Sequence, residues 1–369
     1  SPLLRLLNAH PQINLEVIFL SDFSLKTHID AEFGVEVDWG VPLTEGFSSQ
    51  FVKSSFRQTG VSFFNPKVNL ADLWKRLNAQ KWDAIWVNGY ANTGLFAALI
   101  YARIKGIPML VRNDSNPYNK PASWKKNLIN RWLVKHAHGL LYCGTANKHH
   151  YLGYGAKTSQ LFSVPFAVDN QFFRSAPRHT TEISDLRDGQ DVVFLFAAKM
   201  TARKNAQVLL RAFANLTPQE RGKARLVYVG DGPERLKTES EAASFGVSDR
   251  VHFLGFKNQA ELPSYYFDCD VFVLPSAKEP FAVVVNEAMN ASKPLILADD
   301  VGAHYDLLEP GINGWLVKTG DVQSLTDALS SAIEQRSMLP SMGQASLARV
   351  DSWDFNADVS GILAALNAL

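Results

Sequence analysis

Four side chains in the second half of this chain, Lys199, Lys204, Glu279 and Glu287, have the types and spacing to handle a charged, hydroxyl-rich ligand. The stretch from Ser276 to Met289 follows an apolar run, 270–274, that reads as a buried strand, so it lies where open α/β sheets bind ligands, beyond a strand's carboxyl end. Pro280 suits a position just before or at the first turn of a helix running through Met289. The unpaired N–H groups of Phe281, Ala282 and Val283 would then face outward and make an anion site of the kind that binds phosphate. Glu279 in the loop and Glu287 about two turns along the helix stand ~9–12 Å apart at 1.5 Å per residue. Carboxylates are poor phosphate partners and good acceptors for vicinal hydroxyls, so one on each sugar of a nucleotide-sugar makes chemical sense. Lys199 and Lys204 close another strand run, 191–197, and are two cations able to neutralise a diphosphate leaving group. The alternative reading of both lysines is a solvated basic turn that also includes Arg203.

The elements that must position these residues follow an alternating pattern. Strand runs are expected at 14–20, 84–88, 107–112, 139–143 and 160–165 in the first half, and at 191–197, 224–229, 250–255, 270–274, 294–298 and 314–317 in the second. Helical patterns lie between them, which is the signature of βαβ units and parallel sheets. The second-half runs are rich in Val, Ile, Leu and Phe without alternation, as strands buried on both faces should be. At 369 residues the chain suits two domains. We place them at 1–169 and 191–350, joined by a linker over 170–190 where apolar content drops, with a terminal helix over 351–369 that could pack outside its own domain. A short Leu-rich helix precedes the first strand run, so the strand that is central in a 3-2-1-4-5 order is expected to be missing from the first sheet.

Composition narrows the classes. No apolar stretch reaches the ~18–20 residues of a membrane span, since the best candidate, 94–111, is interrupted by Arg103 and Lys105. The first residues lack the pattern of a secretory signal, and Cys143 and Cys269 each lie in a buried-strand run, so a reducing cytoplasm is the expected home. The net charge of +1 hides an asymmetry: residues 1–170 carry 18 Lys and Arg against 11 Asp and Glu, while 171–369 carry 19 against 25. A basic first half could draw an acidic acceptor or an anionic membrane surface, here the inner face of the membrane. Residues 121–138, with Trp124, Lys125, Lys126, Arg131, Trp132 and Lys135, could lie on such a surface, although a helix packed by its aromatic face on the sheet is the favoured reading.

These motifs, with Val229-Gly-Asp-Gly-Pro233, Phe253-Leu-Gly255-Phe and Asp270-Val-Phe-Val-Leu-Pro275, run through most of residues 191–320 and resemble glycosyltransferase family 4, the retaining GT-B enzymes. The resemblance implies an α/β fold of two Rossmann-like domains facing a central cleft. It also implies transfer from a nucleotide-sugar donor to a glycan, glycolipid or small-molecule acceptor, with no metal or other cofactor and no nucleic acid. By it Glu279 would hold the donor sugar, Glu287 the ribose, Lys199 and Lys204 the diphosphate, and the loop near Gly255-Phe256 the base, with Gly230 among the donor-binding residues. Arg112 and Asn116 within Val111-Arg-Asn-Asp-Ser-Asn116, together with Asn88-Gly89-Tyr90, resemble acceptor-side segments, and Asp114 is the best acid on that side. The sequence departs from the family where Asn88 and Asn116 stand for His, and where Asn113 and Ala282 stand for Gly; a methyl at 282 hinders close approach of backbone to phosphate. Two other classes fit the same residues: a nucleotide-sugar-binding scaffold without turnover, and a GT-B sugar-nucleotide epimerase.

Three further signals carry less. Asp268-Cys-Asp270 has the triplet form of a divalent-metal site but sits at the entrance to a buried strand. His149-His150 has no spaced partner for zinc. Gly230-Asp-Gly232-Pro is too short for a dinucleotide fingerprint. Oligomeric state has no signature in the sequence.

Overall fold

The computed structural model describes residues 2–21, 28–29, 36–37, 44–53, 68–89, 93–117, 123–175, 181–189 and 191–369. The chain forms two compact units. The first takes the described residues up to Phe166 together with Phe355–Leu369; the second runs from Ala167 to Asp354.

In the first unit, α1 (Pro2–Ala9) leads into β1 (Glu16–Phe19), which pairs in parallel with β2 (Ser48–Phe51). After α2 (Leu70–Leu77) come β3 (Ile85–Asn88), α3 (Thr93–Lys105), β4 (Met109–Asn113), α4 (Trp124–His136), β5 (Gly139–Tyr142), α5 (Thr145–Gly153) and β6 (Leu161–Ser163). The four strands β3 to β6 form one parallel sheet in sequence order. Strands β1 and β2 form a separate pair, and no described strand joins the two sheets. The apolar contacts are nevertheless continuous: Ile18 and Leu20 pack on the cluster that contains Val87, Leu99 and Val111.

The second unit opens with α6 (Asn170–Ser175) and a turn of helix over Glu182–Leu186. Then follow β7 (Val192–Ala197), α7 (Ala206–Ala214), β8 (Ala224–Val229), α8 (Arg235–Ser244), β9 (Val251–Phe253), α9 (Leu262–Asp268), β10 (Val271–Leu274), α10 (Val284–Asn290), β11 (Leu295–Ala298) and β12 (Gly314–Val317). The six strands are parallel in the order β9-β8-β7-β10-β11-β12, the doubly wound 3-2-1-4-5-6 arrangement. Every residue of β7, β8's Leu226–Val229 stretch, β10 and β11 is buried, as the unbroken apolar runs require when helices cover both faces. Helices α11 (Val322–Glu334) and α12 (Leu339–Val350) complete this unit.

Residues 170–190 thus differ from the linker expected of them. The described part belongs to the second unit because its polar side chains are occupied there: Asp268 Oδ2 accepts from the Thr181 amide and hydroxyl and from Ser184 Oγ, and Arg187 pairs with Asp270 at 3.1 Å. Low apolar content here marks a polar seam, not a free connection.

The terminal helix α13 (Phe355–Asn367) does return to the first unit, where Ile362 and Ala365 share a core with Leu3, Leu7, Leu110, Leu141 and Val164. Gly361 makes the approach possible, since a Cβ there would sit 1.8 Å from the carbonyl oxygen of Ser163. Gly361→Ala is therefore expected to cost roughly 1–3 kcal/mol as an overpacking change. Gly153→Ala, at a helical position with nothing within 4 Å, should be neutral or slightly stabilising. Urea denaturation of the two variants beside the parent protein measures the contrast.

Candidate functional site

Two loops at the carboxyl edge of the second sheet build the site. After β7 the chain passes through Lys199, turns in a single 3-10 turn over Ala202–Lys204, and enters α7 through Asn205 in the left-handed region at φ +55°. After β10 a loop carries Glu279. The loops are pinned to each other: Ala277 N donates to the Arg203 carbonyl at 2.7 Å, and Asn205 Nδ2 donates to that of Pro275 at 2.9 Å. A third segment, beyond β11, straps Glu279 from behind, with its amide on Asp300 O and its carbonyl accepting from Gly302 N.

This scaffold brings Glu279 and Lys204 into contact. Lys204 Nζ lies 2.5 Å from Glu279 Oε2, and both side chains are largely buried. Arg203 Nη1 lies 2.6 Å from the same oxygen, so the residue read as a bland turn cation is a direct partner. Burial pulls the Lys204 ammonium below the ordinary lysine value, and Glu279 offsets part of that. Lys199 is half-buried at the end of β7 and has its carbonyl on Thr201 N.

The helix after Glu279 starts later than the sequence suggests. Helix α10 begins at Val284, not near Pro280, because Ala282 takes φ +86°, a conformation no helical residue adopts. The amides of Ala282, Val283 and Val284 precede the first helical bonds, and Val285 N reaches back to Ala282 O at 3.1 Å. The side chain of Phe281 is buried and its ring stacks on Trp353 at 5.4 Å, while Val283 is exposed.

Glu287 consequently falls in the first turn of α10, with its Oε2 accepting from Tyr266 Oη at 2.7 Å. Desolvation raises its carboxyl to about 7, and the tyrosine hydrogen bond acts against that rise.

Gly230, at φ +127°, contributes space: a Cβ there would sit 2.2 Å from the Ala198 carbonyl oxygen, and its amide donates to Gly255 O at 2.8 Å. Gly255 is also left-handed, at φ +71°, and exposes Phe256 beside it.

The acceptor-side residues of the first unit divide. Asn88 is exposed at the end of β3, and Gly89 at φ +81° donates its amide to Arg112 O. Tyr90 lies outside the described residues. Asp114 is exposed and Asn116 buried. Arg112 departs from the role assigned to it. Its buried guanidinium donates to the Val164 and Pro165 carbonyls at 3.0 and 2.7 Å, lies 3.7 Å from Asp358 of α13 and covers the Phe166 ring, so its charge tethers the terminal helix. The loop after β4 has an organiser the sequence did not flag. Asn147 accepts from Cys143 N and donates to Asn113 Oδ1 and Ser115 O.

The weaker signals resolve as structure. Asp268 and Asp270 are engaged by Thr181, Ser184, Arg187 and the Val193 amide. His150 is buried against the rings of Tyr151 and Tyr154, and burial lowers its pKa to about 4. Among the described residues no three His, Cys, Asp or Glu side chains group to hold a metal ion, and no helix is long and apolar enough to cross a membrane.

Glu287 gives a pH signature. A carboxyl raised from 4.5 to about 7 by folding stabilises the fold below pH 4.5 and loses that contribution as pH rises through about 7. Parent protein and Glu287→Gln, which keeps an acceptor for Tyr266, should match near pH 4.5. The parent should fall behind by up to about 3 kcal/mol above pH 8, as read from urea midpoints across pH.

Comparison with known proteins adds a family to this geometry. The family described as Glycosyl transferases group 1 matches residues 179–349. The D-inositol 3-phosphate glycosyltransferase of Nocardia farcinica is 28% identical over 222 residues, which cover 58% of this chain and 49% of that protein. The alpha-D-kanosaminyltransferase of Streptomyces kanamyceticus is 24% identical over 263 residues, 68% of this chain and 67% of the relative. The chain spans about half the length of several curated relatives it matches. Among solved structures, Anabaena Alr3699/HepE in complex with UDP and glucose superposes with a TM-score of 0.68 at 22% identity, covering 88% of this chain and 87% of that one. Sucrose-phosphate synthase from Thermosynechococcus elongatus reaches 0.70 at 18%, covering 98% and 90%. These likenesses match the two Rossmann-like parallel-sheet units to the GT-B fold. Lys199, Lys204, Glu279 and Glu287 all lie inside the segment, residues 179–349, that matches the family described as Glycosyl transferases group 1.

Proposed function

We propose that this protein is a hexosyltransferase that moves a sugar from a nucleotide-diphosphate-sugar to a carbohydrate or glycolipid acceptor, with retention of anomeric configuration and without a metal. The observation that carries the reading is the contact of Lys204 and Arg203 with Glu279 at the carboxyl edge of the second sheet, next to the amides that open α10. Two cations, Lys204 buried and Arg203 exposed at its side, are suited to a diphosphate whose negative charge grows as the sugar departs. Glu279, held by its backbone on both sides, is suited to accept from sugar hydroxyls, and Glu287 from ribose hydroxyls. In a front-face displacement the acceptor oxygen bonds to the anomeric carbon on the face the phosphate leaves. The departing phosphate oxygen takes the acceptor's proton, so no side-chain nucleophile is called for. Asp114, exposed after β4, is the acid we assign to acceptor contact. UDP and glucose in the HepE complex support a nucleotide-sugar as the ligand class.

A thermal-shift series of nucleotides and nucleotide-sugars tests the donor. A ligand at 100 times its dissociation constant adds about 2.7 kcal/mol of apparent stability. Lys204→Gln and Glu279→Gln should keep their secondary structure by circular dichroism and lose roughly 100- to 1000-fold in kcat. Unchanged turnover in both would refute the site. Donor binding without product from any acceptor would identify a scaffold, and conversion of donor alone an epimerase. Because Ala282 holds φ +86° with a Cβ, Ala282→Gly should raise stability by about 1 kcal/mol and tighten nucleoside diphosphate binding, measured by denaturation and calorimetry.

A further inference from the structure

Residues 93–163 carry ten Lys and Arg against a single acid, Asp114. Within this segment α4 turns an unusual face to water. Its inner side buries Asn130, Leu133 and Val134, and Trp132 packs on Phe96 at 5.6 Å, which is the ordinary fate of a sheet-covering helix. Trp124 and Leu128 do not share that fate: they are 68% and 57% exposed. They lie four residues apart on the face that continues through Arg131 and Lys135, with Lys125 alongside, all three cations exposed. Lys125 Nζ lies 5.6 Å from the Trp124 ring centroid, so charge and aromatic surface are adjacent.

We propose that this face of α4 is a docking surface for an anionic lipid bilayer. The cations draw the helix to acidic headgroups, and Trp124 with Leu128 enters the boundary between headgroups and acyl chains. Charge alone would fit any polyanion. The exposed tryptophan and leucine on the same face, which gain nothing from a soluble polyanion, select a surface with an apolar interior. In its crossover from β4 to β5, α4 follows the carboxyl end of β4, the end that carries Asp114. A lipid-borne acceptor would thus be presented to that edge. This last step rests on the transferase reading; the docking itself does not.

The test is co-sedimentation of the full chain, with no nucleotide-sugar present, with vesicles of phosphatidylcholine alone and of phosphatidylcholine mixed with phosphatidylglycerol. Binding is expected only to the mixed vesicles, weakening as salt is raised. Trp124→Ser combined with Leu128→Ser should lower the partition coefficient at least tenfold. Charge removal at Lys125, Arg131 or Lys135 should lower it about fivefold for each cation. All these side chains are exposed, so the melting temperature should stay at the parent value. Absence of binding to mixed vesicles would overturn the proposal. So would binding that the serine variant leaves unchanged, which would mark the face as a purely electrostatic polyanion site. Neither outcome bears on donor binding, which calorimetry measures separately.

Discussion

A carboxylate shared by two cations holds the candidate site together. Glu279 is buried, and a buried carboxylate is tolerated only when oppositely charged and hydrogen-bonding groups meet it. Lys204 and Arg203 meet it from the crossover after β7, while Asp300 and Gly302 fix its backbone from the segment after β11. Three strand ends are thereby held in one geometry by a residue that belongs to only one of them. The left-handed Ala282 and the late start of α10 follow, since the chain must turn from the strap at Glu279 into the helix within a few residues.

The same helix is anchored at its other end. Asn290 donates to Asn170 Oδ1 and accepts from Arg174 Nε at 2.7 Å; Arg174 in turn pairs with Asp351, and Asn170 reaches the Val350 and Trp353 carbonyls. The two segments by which the chain enters and leaves the second unit, 167–175 and 350–354, thus meet at α10, and Trp353 also stacks on Phe281 at its start. Position along α10 is set jointly by a polar junction at one end and a ring stack at the other.

How much of this was legible follows from what each signal reports. Runs such as Val192–Ala197 announce strands buried on both faces, because only a doubly covered sheet removes every polar alternation, and the second sheet formed where those runs lie. Glu279 and Lys204 could be placed at one sheet edge from sequence because both follow buried strand runs of the same sheet. Arg203 escaped notice since its direction depends on Asn205 being left-handed, a tertiary outcome. Tyr266, which holds Glu287, sits on the preceding helix with no spacing relation to it. Arg112 illustrates the opposite failure. A motif-like arginine at a strand end reads as ligand contact, yet its partners are two carbonyls and an acid 246 positions along the chain. The polarity of 170–190 was read as a linker because low apolar content cannot distinguish a free segment from one stitched down by Asp268.

The dependence of the first unit on α13 sets an order on biosynthesis. The described residues of the second unit all come from 167–354 and can close once that stretch has left the ribosome, whereas the first lacks the partner for Arg112 and the filling for the Leu110–Leu141–Val164 core until residues 355–367 emerge. During the translation of nearly two hundred residues, its exposed apolar wall is a surface for chaperones to cover. Emergence of residues 355–367, not synthesis of the amino-terminal half, is then the event that commits that half to its native state.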